Sequence, residues 1–312
     1  GMGVGGRRRR AGGWLSVVAM GMLFVGACSS GSHVVVQAPS ASGPAIPSGT
    51  DPSQASGEPT PKVGDCRPPV NRTIIDAASD PRPSVDCSKA HGSETFWVGS
   101  MPSTIEAWPG SDDRAGALLE NEVTRDCGTR HLQYLGLDVG TMPNLPPDRL
   151  QSFAFFVPTE RDFQDGARWF RCDAVVEPLA AERTSIDDTL KDVYAKPLPA
   201  SYRLCEARLG QPVACDQDHE VEYLASVLLD SLTQFPTQKG DIQVTAACRT
   251  PLLTALGLTE ERTDLVFGYL LPTQEAWDAG SKGATCVVGA ADGSTLRGTL
   301  ADIGPSAALP TG

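Results

Sequence analysis

The sequence predicts an α+β fold: two tandem, disulfide-stapled domains, each a small sheet with helices on one face. Three observations predict it. The chain carries an internal repeat, each copy of the repeat holds four cysteines, and each copy runs through the same order of apolar strands and amphipathic helix. The 312 residues are enough for about two domains, and with 40% hydrophobic residues both can bury a core. The 26 Lys+Arg against 38 Asp+Glu give a net charge of −12. That balance argues against a nucleic-acid binder, which needs a basic face for phosphates. Nine cysteines point to an oxidising compartment outside the cytosol.

The N-terminus reads as an export signal over residues 1–27. Arg7 to Arg10 precede an apolar run from Trp14 to Val25, too short for a membrane span, and the run ends in Gly26-Ala27-Cys28. Small residues before a cysteine resemble a bacterial lipobox. Cys28 is therefore the expected lipidation site, carrying diacylglycerol (palmitate-class) chains, and the localisation expected is the extracytoplasmic face of the cell membrane. An ordinary signal peptide with a chance cysteine is the plainer alternative. Removing residues 1–27 takes away four Arg and no acid, so the mature chain is more acidic still and relies on its lipid, not on basic residues, to hold the membrane. Residues 28–62 follow, mostly Ser, Pro, Gly and Ala, with Val34-Val35-Val36 the only apolar cluster. Such a stretch buries too little to offset its ordering entropy and is expected to be a disordered tether, with His33 solvated in it. Extended as polyproline it would reach about 100 Å.

The repeat spans the rest. Phe153 to Thr159, then Phe163, Gly166, Arg168 and Cys172, match Phe267 to Thr273, Trp277, Gly280, Lys282 and Cys286 at an offset of 114. Val123-Thr124, Cys127, Thr129, Leu132 and Leu135-Gly136-Leu137 match Val244-Thr245, Cys248, Thr250, Leu253 and Leu256-Gly257-Leu258 at an offset of 121. Cys87-x3-His91-x2-Glu94 matches Cys215-x3-His219-x2-Glu222 at an offset of 128, and Trp108-Pro109 echoes Phe235-Pro236. The domains are then 63–180 and 201–292, with residues 181–200 a charged connector and 293–312 a tail of small and polar residues.

Each copy is read element by element. An apolar strand follows the histidine, at Thr95–Gly99 and Val221–Leu229. Leu119, Val123 and Cys127, and Val244, Cys248 and Leu252, are spaced i, i+4, i+8 and put one apolar face on a helix. Pro251 predicts that the second helix breaks and restarts with Thr250 as N-cap. Gly136 and Gly257 sit where a helix stop requires left-handed backbone. Segments 153–157 and 267–271 read as buried strands. Pro158 and Pro272 end them and open short helices that stop at Gly166 and Gly280, and a last strand carries Cys172 or Cys286.

With Cys28 set aside, four cysteines per copy leave three pairings within a copy. The favoured one joins Cys66–Cys87 and Cys127–Cys172, then Cys205–Cys215 and Cys248–Cys286. The nine residues between Cys205 and Cys215 contain the turn Gly210-Gln211-Pro212, and the second bridge of each copy ties helix to last strand. Each bridge contributes roughly 2–4 kcal/mol.

Cys-x3-His-x2-Glu looks ligand-like, and zinc is the competing idea. An oxidising envelope disfavours free thiolates and the chain has no CxxC pair, so neither a metal nor any other cofactor is expected. His91 and His219 are expected to make buried hydrogen bonds, with Glu94 and Glu222 on or near the surface. His131 aligns with Leu252 and is no shared ligand. Asp112-Asp113 and Asp187-Asp188 read as solvated helix starts. No G-x-S-x-G, P-loop, H-E-x-x-H or dinucleotide fingerprint is present, so no enzyme is expected.

Val63-Gly64-Asp65-Cys66, Val85-Asp86-Cys87-Ser88-x-x-His91-x-x-Glu94, Trp108-Pro109-Gly110, Cys127 and Phe163-x-x-Gly166-x-Arg168-x3-Cys172 resemble the septum formation domain family, and Trp277-x-x-Gly280-x-Lys282-x3-Cys286 closes the second copy similarly. The resemblance implies a non-catalytic, exported or membrane-anchored envelope module of high-G+C Gram-positive bacteria, linked by name to septation and cell division. The second copy departs at Tyr202-Arg203-Leu204-Cys205, and Ala90 and Asp218 stand where the family has Pro before His. The function expected is a lipoprotein interaction module that binds another envelope protein. The alternative is a binder of a small ligand or wall fragment between the two domains.

Overall fold

Gly64, with φ +91°, turns the chain so that Cys66–Arg67 can pair with Ser93–Glu94 in the first sheet. The computed structural model describes residues 59–138, 145–180, 182–208, 210–236 and 242–312, and the backbone of His33–Val34. In chain order the first elements are β1 (His33–Val34), β2 (Cys66–Arg67), β3 (Val70–Asn71), α1 (Arg72–Ile75), β4 (Ser93–Ser100), α2 (Asp113–Tyr134), β5 (Phe153–Phe156), α3 (Glu160–Gln164), β6 (Trp169–Val175) and β7 (Arg183–Thr184). Their main sheet is antiparallel in the order β1-β5-β6-β4-β2, and β3 pairs with β7 beside it. A register shift interrupts β4 between Thr95 and Trp97.

The remaining elements are β8 (Leu204–Arg208), β9 (Gln211–Ala214), β10 (Asp218–His219), β11 (Val221–Leu228), α4 (Ile242–Ala255), β12 (Leu265–Leu270), α5 (Gln274–Asp278), β13 (Gly283–Ala290) and β14 (Leu296–Arg297). A second antiparallel sheet runs β12-β13-β11-β8-β9, with β10 paired to β14. Its strand β11 shifts register between Tyr223 and Ala225.

The predicted apolar face of α2 is the buried one: Leu119, Val123 and Cys127 pack with Phe153, Phe155, Phe170 and Cys172. On the second sheet Cys248, Leu252 and Leu256 pack with Cys286, Val288 and Ala290. Each of these fully buried aliphatic or aromatic side chains is worth roughly 1.5–3 kcal/mol. Asp112 caps α2 by accepting from the Ala115 amide at 2.8 Å. Thr159 and Thr273 cap α3 and α5, each accepting from the amide three residues on. Asp187-Asp188 differ from the expectation: they lie in an exposed bend after β7, not at a helix start.

Four disulfides are formed, Cys66–Cys87, Cys127–Cys172, Cys205–Cys215 and Cys248–Cys286. They join the pairs that the spacing favours. The second of each set ties a helix to a central strand, with Cα–Cα distances of 6.3 and 5.5 Å.

Four expectations are corrected. Pro251 lies inside an unbroken α4. Proline's φ is itself helical, so the loss is one hydrogen bond and a crowded carbonyl, which the burial of Val244, Cys248, Leu252 and Leu253 and the Cys248 bridge outweigh. The strand β12 is only half-buried, whereas β5 is buried throughout. In the first sheet the face away from α2 is covered by Val70 and Ile75 on Ala154, Phe156 and Val175. The loop from Cys205 to Cys215 is too short to do the same. Residues 181–200 are no loose connector: Ile186 and Leu190 are fully buried in the first core. Residues 293–312 are no loose tail: Leu296 and Leu300 are fully buried in the second.

Residues 1–27 and Cys28 lie outside the described residues, as does the tether up to residue 58 except at β1. There the backbone of His33–Val34 pairs antiparallel with Phe153–Ala154, which departs from a wholly unstructured tether. No helix among the described residues is long and apolar enough to cross a membrane.

Candidate functional site

Glu94 begins β4 and points into the first core, where its carboxylate is 2% exposed. It is not a surface group, as the sequence suggested. Burial of a carboxylate is tolerated only with donors around it, and four side-chain and backbone groups supply them. Oε1 accepts from His91 Nε2 at 2.9 Å and the Leu190 amide at 3.0 Å. Oε2 accepts from Tyr134 OH at 2.5 Å and Thr189 Oγ1 at 3.1 Å. One carboxylate thus ties β4 to the end of α2 and to the segment after β7.

His91 is fully buried, and its Nδ1 lies 2.7 Å from the Lys89 carbonyl oxygen. A carbonyl and a carboxylate only accept, so both ring nitrogens carry protons and His91 is an imidazolium. Burial works against that charge, but the bonds to Glu94 and Lys89 outweigh it and hold the His91 pKa above its ordinary value. Burial likewise pushes Glu94 up, and the donors from His91, Tyr134 and Leu190 overcome it and leave its pKa low.

The second sheet places the matching residues differently. Glu222 and His219 are both fully buried. Glu222 accepts from Thr299 Oγ1 and the Leu300 amide, both at 2.6 Å, with Arg203 Nη1 3.8 Å away. Ala255 stands at the position of Tyr134, so that donor is missing. His219 Nδ1 donates to the Gln217 carbonyl at 2.8 Å, but Nε2 has no hydrogen-bond partner among the described residues. Burial lowers the His219 pKa and raises that of Glu222. The structure therefore brings His91 and Glu94 together as a charged pair, while His219 makes no hydrogen bond to Glu222 and burial favours its neutral form.

Cys66 packs against this pair: its sulfur, a His91 ring nitrogen and a Glu94 oxygen lie within 4.8 Å of one another, as do Cys205, Cys215 and Glu222. These sets have ligand-like composition. Their cysteines are in disulfides, however, and zinc takes the thiolate. In the oxidised chain each set is short of its sulfur donors.

Two further groups escaped the sequence reading. On the other face of the first sheet, Arg171 meets Asp173 at 3.2 Å and Asp80 at 3.3 Å, while Ser93 and Thr95 donate to Asp173 at 2.9 and 2.8 Å. Arg171 and Asp173 are fully buried. The signal was present: two charges flank Cys172 in a run otherwise apolar, and Thr285 and Val287 replace them in the second copy. His131 is also buried, between Phe96 and Phe153, and burial alone pulls its pKa down to about 3.

A cleft of about 160 Å³ lies between the segments before β5 and before β8 and Tyr223 of β11, lined among others by Pro146, Pro147, Tyr194, Pro197, Arg203 and Tyr223. At its wall Tyr194 OH donates to Asp148. Burial raises the Asp148 pKa to about 6 despite the donors from Tyr194 and the Leu150 amide.

A family model described as septum formation matches residues 63–286. The chain belongs to the septum formation family. That span begins at the turn before Cys66 and ends at Cys286, so it runs from β2 into β13 and takes in all four disulfides and both His–Glu motifs. Nothing matches among the curated proteins or the solved structures. Family membership connects the chain to septum formation and hence to cell division. Within this septum formation chain the His91, Glu94 and Glu222 side chains are held by internal hydrogen bonds, while His219 uses only Nδ1.

Proposed function

We propose that the protein is a non-catalytic cell-envelope lipoprotein that binds another envelope protein during septum formation. The observation that carries the reading is the Glu94 carboxylate, with all its donors drawn from the chain itself. A catalytic acid or base must reach the proton it moves, and this one faces only the fold. Glu222 is spent the same way on Thr299 and Leu300. What the repeat keeps in register is scaffold chemistry, which suits a binding module.

Two tandem domains are part of this proposal. The strand orders β5-β6-β4-β2 and β12-β13-β11-β8 correspond. The register shifts in β4 and β11 fall at positions 128 apart. Asp192 and Asp302 both adopt left-handed backbone and both donate their amides at 2.8 Å, to the carbonyls of Tyr134 and Ala255. These features support extending the repeat through Thr189-Leu190-x-Asp192 and Thr299-Leu300-x-Asp302. On this reading each domain runs past the boundaries at 180 and 292, and residues 28–62 are the tether from a lipid on Cys28.

A tagged chain should concentrate at the division septum of living cells, while an even distribution over the membrane would count against the role in division. The second reading, a small-ligand or wall-fragment binder, is favoured by the cleft lined by Tyr194, Arg203 and Tyr223. A rise in melting temperature with purified wall fragments, and none with protein partners, would select it.

A further inference from the structure

Three of the four disulfides are sealed: Cys127, Cys172, Cys205, Cys215, Cys248 and Cys286 are all 2% exposed or less. Cys66–Cys87 is different, because Cys66 is buried and Cys87 is exposed. The bridge therefore joins a solvent-exposed residue to a buried one, with Cys87 Sγ 3.3 Å from the Gly64 carbonyl oxygen. The Cys66 sulfur lies within 4.8 Å of a His91 ring nitrogen, and the hydrogen-bond pattern at His91 requires the imidazolium.

We propose that Cys66–Cys87 is a thiol-exchange site, at which a low-molecular-weight thiol adds to Cys87 and releases Cys66 as a thiolate held beside His91. The attacking thiolate forms a sulfur–sulfur bond to Cys87 Sγ. The Cys66–Cys87 bond breaks, and its electron pair goes to Cys66 Sγ. The proton of the incoming thiol is left in solvent. A second thiol can then attack the outer sulfur of the adduct, which frees Cys87 and leaves the small disulfide as oxidised product.

The geometry fixes the direction. Exchange depends on access to the attacked sulfur and on the stability of the leaving thiolate. Cys87 has the access, and Cys66 has a cation beside it. A Glu94 oxygen also lies within 4.8 Å of that sulfur, but its charge is shared among donors from Tyr134, Thr189 and Leu190 as well as His91. The second copy lacks both properties. Cys205 and Cys215 are fully buried, and His219 is neutral. Opening the first bridge also need not unfold the chain. The loop it closes stays docked through Arg171 to Asp80 at 3.3 Å and through Val70 and Ile75.

The test exposes the folded, oxidised full chain to excess reduced glutathione, quenches with acid, alkylates and maps the peptides by mass spectrometry. Expected is glutathione on Cys87, alkylated Cys66, and an opening rate at least about tenfold above that of every other bridge, a ratio set by burial and leaving-group stability. Glutathione on Cys66, four bridges opening together, or no opening short of unfolding overturns the proposal. As a second arm, Cys87→Ser leaves Cys66 free. Its thiolate absorbance near 240 nm is expected to titrate below the free cysteine value of about 8.5. Titration at or above that value removes the role given to His91.

Discussion

Glu94→Gln removes the negative partner of a buried imidazolium without changing shape, so its cost depends on pH in a direction the structure dictates. At about pH 7 the loss is that of a charge-assisted hydrogen bond, roughly 1.5–3 kcal/mol. In the native chain the His91 pKa is raised. Its stabilisation is therefore complete below the unfolded value of 6.5 and fades only as pH rises through the folded value. In the variant His91 is buried without a counter-charge, and desolvation lowers its pKa instead. The folded variant then binds fewer protons than the unfolded chain below about 6.5, and its stability falls by about 1.4 kcal/mol per pH unit on acidification. Between about pH 7 and pH 5 the gap to the native chain should widen by roughly 2 kcal/mol. Glu94 in the native chain adds no slope in this window, because its pKa is lowered from 4.5 and its contribution is lost only at more acid pH. Glu222→Gln should cost only about 1 kcal/mol near neutral pH, since Glu222 leans toward its neutral form and His219 is already uncharged; its raised pKa adds native stability as pH falls through the folded value, a gain that glutamine lacks. Urea unfolding of the three proteins at a series of pH values reads both effects. A constant gap for Glu94→Gln would show that His91 is not the cation described.

His131→Leu should move acid unfolding to lower pH. The native His131 pKa of about 3 means that stability falls as pH drops below 6.5, by about 1.4 kcal/mol per unit, and leucine removes that slope. Pro251→Ala should raise the melting temperature, because it restores a helix hydrogen bond and relieves crowding worth about 3 kcal/mol at most. An unchanged or lower melting temperature would mean that the helix is adapted to proline. Cys28→Ala should abolish labelling with a lipid precursor and release the chain from membranes, and unchanged label would exclude the anchor at this residue.

Much of the fold was legible because its signals are local and doubled. Apolar spacing fixed the buried faces of α2 and α4, Pro158 and Pro272 marked where the strands end and α3 and α5 begin, and matched cysteines fixed the staples. What escaped depends on residues far apart in sequence. Glu94 looked exposed because its donors Tyr134, Thr189 and Leu190 lie up to 96 residues away. The Thr-Leu-x-Asp segments looked like connector and tail because one aliphatic residue among small and polar ones carries little periodic signal. The break at Pro251 was the right local inference. It was overruled by the Cys248 bridge and by the burial of Leu252 and Leu253. The half-buried β12 could not be foreseen either, since its sequence is as apolar as β5 and only the missing cover distinguishes them.

The central claim, that this member of the septum formation family works by binding another envelope protein, is tested most directly by crosslinking in living cells followed by mass spectrometry. The account predicts recovery of the chain joined to a defined envelope protein of the division or wall-synthesis machinery, through surface residues of the region 63–312. Recovery of no protein partner, together with a melting temperature that shifts with wall fragments, would contradict it.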